Sequence, residues 1–221
     1  TDVLPFVPLS GVSMEECVRL AHQAGERIAT ELSIPVFFYE RAALTLDRVN
    51  LEDVRRGALE LLREQIAVNP NRAPDVGPPL VHETAGAIAV GARPFLIAFN
   101  VNLNTRDVTV ARKIARVVRA RHGGLAFVKA LGFELSSRGV VQVSMNLVNY
   151  EATGMTQAYN AVRDEAKRLG VEVLCTEIVG LVPEKALDRH AQYFQKLEKF
   201  SEDKILEHRL LMCSGQRSEA L

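Results

Sequence analysis

The second half of this 221-residue chain alternates between two periodicities in an order that leaves few folds open. From Pro94 the pattern predicts a strand over Phe95–Leu103, then a helix over about Asp107–Arg121. Val108, Ala111, Ile114, Ala115 and Val118 share one face of that helix, and His122-Gly123-Gly124 stops it. Strands follow at Ala126–Leu135 and Val140–Asn149, joined at Ser136-Ser137-Arg138-Gly139. A helix over about Met155–Leu169 ends at Gly170, and the last strand is Val171–Val179. Pro183 suits the first turn of a final helix. Strand, helix, strand, strand, helix, strand is the split-βαβ or ferredoxin-like order, so the expected class is α+β.

Two of these strands carry a polar stripe. Asn100 and Asn102 are two apart, so both amides point to one face. Gln142, Ser144 and Asn146 alternate with Val141, Val143 and Met145 in the same way. Amides on a buried face must find partners, because an unpaired one is costly. Two such strands side by side make the floor of a polar ligand site, or else a sheet face turned to water.

The first half is less regular. Val3 to Pro8 reads as a strand. Ser13 and Glu16 form a capping box for a helix whose apolar stripe is Cys17, Leu20, Ala21, Ala24, Ile28 and Leu32. Pro35 to Tyr39 is a short strand, and Asn50 caps a second helix with Val54, Ala58, Leu61 and Leu62 on one side. Asn69 to Pro79, rich in Pro, Gly, Asn and Asp, is a connector. This inventory is short of a full sheet by at least one strand.

Composition excludes more than it selects. Lysine plus arginine equals aspartate plus glutamate, 27 against 27, so no global charge draws the chain to nucleic acid or an anionic membrane. Three widely spaced cysteines, with no CxxC pair, fit a reducing compartment and not a disulfide scaffold or zinc site. Neither a leader nor a membrane span is visible, so cytoplasm is the expected location. No GxGxxG, P-loop or GxSxG elbow occurs. The five histidines show no ligand spacing, and no metal is expected.

Candidate chemistry is thin. His82, in the connector, has the chemistry of an acid, a base or a donor, or is a solvated loop residue. Arg93 and Lys129 are the cations nearest the polar strands, and each suits a carboxylate, Arg93 in the bidentate way. Glu177 ends the last strand, facing the same polar stripe or capping the next helix.

Taken together, the segments DVLPFVPLSGVSMEECV, APDVGPP, GARPFLIAFNVNL, VKALGF, VQVSMNL and TEIVGLVP resemble the formiminotransferase domain family, in order and over nearly the whole chain. The resemblance implies two ferredoxin-like subdomains, residues 1–92 and 93–212, with a flexible tail at 213–221. It implies a folate site between the subdomains and transfer of a formimino group from N-formimino-L-glutamate to N5 of tetrahydrofolate, which serves as co-substrate. It places the folate-contacting loop at Gly77, Pro78, Pro79, Leu80, Val81, His82, Glu83, Thr84, Ala85 and Gly86. Asp2, Arg93, Asn100, Asn102, Lys129, Gln142, Ser144, Asn146 and Glu177 become candidates for substrate binding. The family's presumed catalytic histidine lies in a GEHPRMGA-like segment just before the residues matching Thr1-Asp2. This chain is therefore expected to lack that histidine and the first strands, and the catalytic residue stays unassigned. A non-catalytic folate- or small-molecule-binding module and an inactive fragment acting through protein contacts, such as a homodimer, remain the alternatives.

Overall fold

The structure, a computed structural model, describes residues 2–218. The chain divides into two compact units, Thr1–Phe95 and Leu96–Leu221.

The first unit is built on a three-stranded sheet of β1 (Val3–Phe6), β2 (Val36–Glu40) and β3 (Ile88–Ala92). The order is β1-β3-β2, and both pairings are parallel. The last-made strand is therefore the central one. The sequence reading missed β3. It reads Ile-Ala-Val-Gly-Ala, with weak strand formers at three of five positions, but all five residues are buried. A parallel strand covered on both faces has no need of polar alternation.

Helix α1 (Met14–Leu32) starts as expected. Ser13 Oγ accepts from Glu16 N at 3.1 Å, and Ser13 N donates to Glu16 Oε2 at 2.7 Å. Its buried line is Cys17, Ala21, Gly25 and Ala29, a row four residues apart, so small side chains bring the helix close to the sheet. Leu20 and Leu32, expected on that stripe, are 46% and 55% exposed. The core under α1 joins Ala21 and Ala29 to Val36, Phe38, Ile88 and Val90. The single helix expected after Asn50 is two, α2 (Leu51–Val54) and α3 (Ala58–Gln65). Gly57 and Ala58 break it by adopting positive φ, 77° and 53°. Phe37, Leu62, Ile66 and Val81 form a second cluster.

The second unit has the element order read from the sequence: β4 (Ile97–Leu103), α4 (Val108–Val118), β5 (Val128–Leu135), β6 (Val140–Leu147), α5 (Met155–Arg168) and β7 (Val173–Val179). The sheet runs β5-β6-β4-β7 with antiparallel neighbours throughout. Helices α4 and α5 bury Ala111, Ile114, Ala115 and Val118, and Ala158, Val162 and Ala166, respectively. Gly132 on β5 lets α4 lie against the strand. A Cβ there would press into the backbone of Ala111 and Arg112.

The chain after β7 departs from expectation. Pro183 opens only a 3₁₀ turn, Glu184–Ala186, and is followed by the short α6 (Gln192–Gln195). The real final helix, α7, is Leu206–Ser218. Helix thus runs past Met212, where the sequence reading began a flexible tail, and residues 219–221 of that tail lie outside the described residues. Between these pieces the chain is zipped along β7. Thr176 N donates to Lys196 O and Glu198 N to Thr176 O, both at 2.9 Å. Mixed helices and two sheets give the α+β class expected.

Candidate functional site

The pleat of the second sheet sorts its residues onto two faces. One face is apolar and carries α4 and α5. The other is ordered in rows across the four strands. One row is Leu131, Ser144, Asn100 and Glu177, and the next is Phe133, Gln142, Asn102 and Cys175. A third, Lys129, Asn146, Ala98 and Val179, lies at the end of β5 where the strand begins. The predicted candidates Asn100, Asn102, Lys129, Gln142, Ser144, Asn146 and Glu177 therefore share one surface.

Burial grades across it. Asn102 is fully buried, and Asn100 and Gln142 are each 7% exposed. Ser144, Glu177 and Lys129 are half-buried, and Asn146 is exposed. Asn102 donates through Nδ2 to Cys175 Sγ at 3.3 Å and accepts at Oδ1 from Gln142 Nε2 at 2.9 Å. It is fully buried and bonded to a neighbour on each side, so it builds the floor. Asn100 Nδ2 donates to Glu177 Oε2 at 3.3 Å.

The same surface holds residues that sequence reasoning missed. Cys175 is 4% exposed. Burial holds its thiol above the usual range, with the Asn102 amide opposing and Glu198 adding to the rise. Arg138, in the β5–β6 turn, donates to Glu198 Oε2 at 2.8 Å and reaches Cys175 Sγ at 3.8 Å. Cys175 was within reach of the sequence, since it continues the alternation that contains Glu177. Glu198 was not, because it sits in a stretch without periodicity.

The remaining candidates belong to the first unit. The connector is clamped to β2. Asp75 accepts Phe38 N at 2.7 Å and pairs with Arg48 Nη1 at 2.6 Å. Arg48 Nη2 also donates to Ala73 O at 2.6 Å. The two side chains are 11% and 6% exposed, which makes this a buried ion pair. Gly77 then turns at φ 93°, with its absent Cβ 3.0 Å from Ile34 O, a place no L side chain fits easily. Beyond it, Val81 is a core residue at 6% exposure, so it anchors the Gly77–Gly86 loop and leaves ligand contact to others. Leu80 is 68% exposed.

His82 and Gly86 close the loop by exchanging backbone hydrogen bonds at 2.9 and 3.0 Å. His82 Nδ1 accepts from Ala85 N at 3.1 Å and Thr84 N at 3.3 Å. That fixes the ring proton on Nε2, which makes the outward nitrogen a donor. Glu83, Thr84 and Ala85 are exposed at the tip.

Asp2 and Arg93 sit at opposite ends of the three-stranded sheet. Asp2 O accepts Ala89 N at 2.9 Å where β1 begins, and Arg93 N donates to Phe6 O at 3.0 Å where it ends. The Asp2 carboxylate pairs with Arg55 at 2.8 Å on the surface. Arg93 lies near the Tyr39 phenol, which burial raises and the guanidinium lowers. No cluster of three His, Cys, Asp or Glu able to hold a metal occurs among the described residues. No helix among them is long and apolar enough to cross a membrane.

Comparison with known proteins places the chain. The profile of the formiminotransferase domain, N-terminal subdomain, matches residues 1–93, and that of the formiminotransferase domain matches residues 98–212. The chain is 44% identical to a glutamate formimidoyltransferase of Streptococcus pyogenes, over 96% of this chain and 71% of that protein. It is 48% identical to a glutamate formimidoyltransferase of Thermoplasma acidophilum, over 95% of this chain and 69% of that one. Against the formimidoyltransferase-cyclodeaminase of Sus scrofa it is 41% identical, over 90% of this chain and 38% of the longer relative. With both halves matched in order, the chain belongs to the formiminotransferase domain family.

Proposed function

We propose that this chain works as a glutamate formimidoyltransferase, moving a formimino group from N-formimino-L-glutamate to N5 of tetrahydrofolate. The observation that carries the reading is the pair of family matches at 1–93 and 98–212, together with relatives of that name at 44% and 48% identity. Tetrahydrofolate is then a co-substrate, consumed and released in each turnover.

The chemistry asks for three things. N5 must reach the formimino carbon, a base must take the N5 proton, and an acid must protonate the departing glutamate nitrogen. Proton transfers of this kind contribute about 10²–10⁴-fold, so positioning alone leaves a slow reaction. The residues in hand supply positioning. The polar rows of the second sheet offer amides and a carboxylate to a heterocycle edge or a glutamate. The Gly77–Gly86 loop, clamped at Asp75 and anchored by Val81, offers backbone groups and His82 Nε2–H to folate. Arg93 and Lys129 are the cations for substrate carboxylates. His82 is a binding residue, since its Nδ1 lone pair is already taken by the turn. The subdomain division at residues 92 and 93 belongs to the same proposal. So does a homodimer formed through an edge of the three-stranded sheet.

The test is calorimetric titration of the purified chain with 5-formyltetrahydrofolate, a stable relative of the product, followed by an assay of formimino transfer. Saturable binding is the expected result. Absence of binding by a chain that is demonstrably folded overturns the reading.

A further inference from the structure

One chain of hydrogen bonds crosses the polar face in a single direction, and that direction decides what the face offers. It begins at Arg138, whose guanidinium grips Glu198 Oε2 at 2.8 Å. Glu198 is fixed by its backbone bond to β7, and Arg138 first among its neighbours keeps its carboxyl below the usual range. An ionised carboxylate only accepts. The neighbouring Cys175 thiol, raised by burial, keeps its proton and faces that carboxylate with it. The sulfur lone pairs are left to accept, and Asn102 Nδ2 donates to them at 3.3 Å. With its NH₂ committed, Asn102 presents Oδ1 to Gln142 Nε2 at 2.9 Å. Gln142 has then turned one N–H of its NH₂ inward to Asn102 and turns Oε1 outward. One row along, the Glu177 carboxylate takes the NH₂ of Asn100, which leaves Asn100 Oδ1 outward as well. The sense of an amide is assigned from its network, and here an acidic group at each end fixes it.

Asn100 and Gln142 are more than nine-tenths buried, at 7% exposure each. Neither outward oxygen accepts a hydrogen bond within the described residues. Nor are they sealed in: the sealed side-chain atoms without a partner among the described residues are Tyr39 Oη and Arg72 Nε. These two oxygens therefore face space that water or a ligand can enter. Beside them stands the half-buried Glu177 carboxylate. The result is a patch with three acceptor groups side by side.

We propose that Arg138, Glu198, Cys175 and Asn102 set the amide sense of Gln142, so that Gln142 Oε1, Asn100 Oδ1 and the Glu177 carboxylate together receive an N–C–N group bearing two N–H donors. The proposal rests on the functional reading above, in which both reactants carry such a group. One is the 2-amino and N3–H edge of the pterin; the other is the formimino group of the donor. A carboxylate meets two parallel N–H groups in the strong, bidentate way. Arg138, Glu198 and Cys175 are positioning residues, since none is itself turned to the ligand.

Two pairs of probes separate the sources, titrated into the full chain by calorimetry. The first pair is 5-formyltetrahydrofolate and its 2-desamino-2-methyl counterpart. The second is N-formimino-L-glutamate and N-formyl-L-glutamate. The wild type should prefer the N–C–N member of one pair by at least about tenfold, as expected when buried acceptors are left unpaired by the other. Glu177→Gln should bring that ratio close to one. Cys175→Ala should shrink it, and Cys175→Ser, whose hydroxyl can also donate to Glu198 and accept from Asn102, should restore it. A merely structural loss at Cys175 would weaken both members of a pair alike. The pair that shows the preference identifies the group bound. Ratios near one in both pairs, or ratios untouched by Glu177→Gln and Cys175→Ala, overturn the proposal and leave the functional reading standing if 5-formyltetrahydrofolate still binds. No binding of any probe by folded wild type overturns both.

Discussion

Replacing Arg48 with methionine strikes the clamp that holds the connector to β2. In the native chain Asp75 has two partners, Arg48 Nη1 at 2.6 Å and Phe38 N at 2.7 Å, and its side chain is 6% exposed. Methionine matches the length of the arginine stem but leaves the carboxylate buried with one backbone donor. Removing one member of a buried pair costs about 3–5 kcal/mol, mostly as the penalty on the charge left behind. The lost bond to Ala73 O adds about 1 kcal/mol. At about 1.4 kcal/mol per factor of ten, a cost of about 4 kcal/mol lowers the folded-to-unfolded ratio roughly 10³-fold. The double variant Arg48→Met/Asp75→Asn removes the charge but keeps an oxygen for Phe38 N, and should recover to a cost of about 1–2 kcal/mol. A chain of two units need not unfold in one step, so the reading belongs to native-state hydrogen exchange at the β2 and β3 amides, such as Phe38 and Val90. A single-variant cost below about 1 kcal/mol would refute the reasoning. So would a double variant no more stable than the single.

Three further outcomes are expected. His82→Ala should loosen the Gly77–Gly86 turn and weaken binding of 5-formyltetrahydrofolate, whereas His82→Asn, which can cap the same turn, should retain most affinity; equal losses would separate the turn from the site. Gly132→Ala forces a methyl into the α4 backbone and should cost the second unit about 1–3 kcal/mol, seen as a fall in its melting temperature, while the first unit is unaffected. Glu198 titrates below its ordinary 4.5 because Arg138 is bonded to it, so its support is full above that value and is lost as pH falls through the lowered folded value. The stability gap between wild type and Arg138→Met should therefore narrow on going from about pH 6 to about pH 3, and a gap that stays constant would count against the pair.

How far the sequence could be read depends on which forces leave a local mark. Helices α4 and α5 and the four strands around them carry period-two and period-3.6 signals, so the order of the second unit was legible, with ends trimmed by a few residues. The polar stripe was legible for the same reason, since Asn100, Asn102, Gln142 and Ser144 alternate. What the stripe does with its donors was not. That depends on Arg138 and Glu198, 60 residues apart, meeting Cys175 in space. Strand β3 left no mark because burial on both faces removes the alternation, and Gly and Ala hide its propensity. The break at Gly57 and Ala58 was hidden inside a run of good helix formers on either side. Pro183 misled because a proline that suits a first turn says nothing of whether a second turn comes after it.

The parallel order β1-β3-β2 sets a timetable for synthesis. Strands β1 and β2 pair with β3 and not with each other, so neither gains that partner until residues 88–92 have left the ribosome. Until then Phe38 and the apolar side of α1 are without the strand they pack around, in a nascent chain that adds about 5–20 residues each second. Seconds of exposure for a Val-Phe-Phe-Tyr segment is an opening for holdase chaperones and for misassembly between neighbouring chains on one message. A stalled chain ending before Ile88 should thus be sensitive to protease and prone to aggregate, and one extended beyond Ala92 with room to clear the exit tunnel should not.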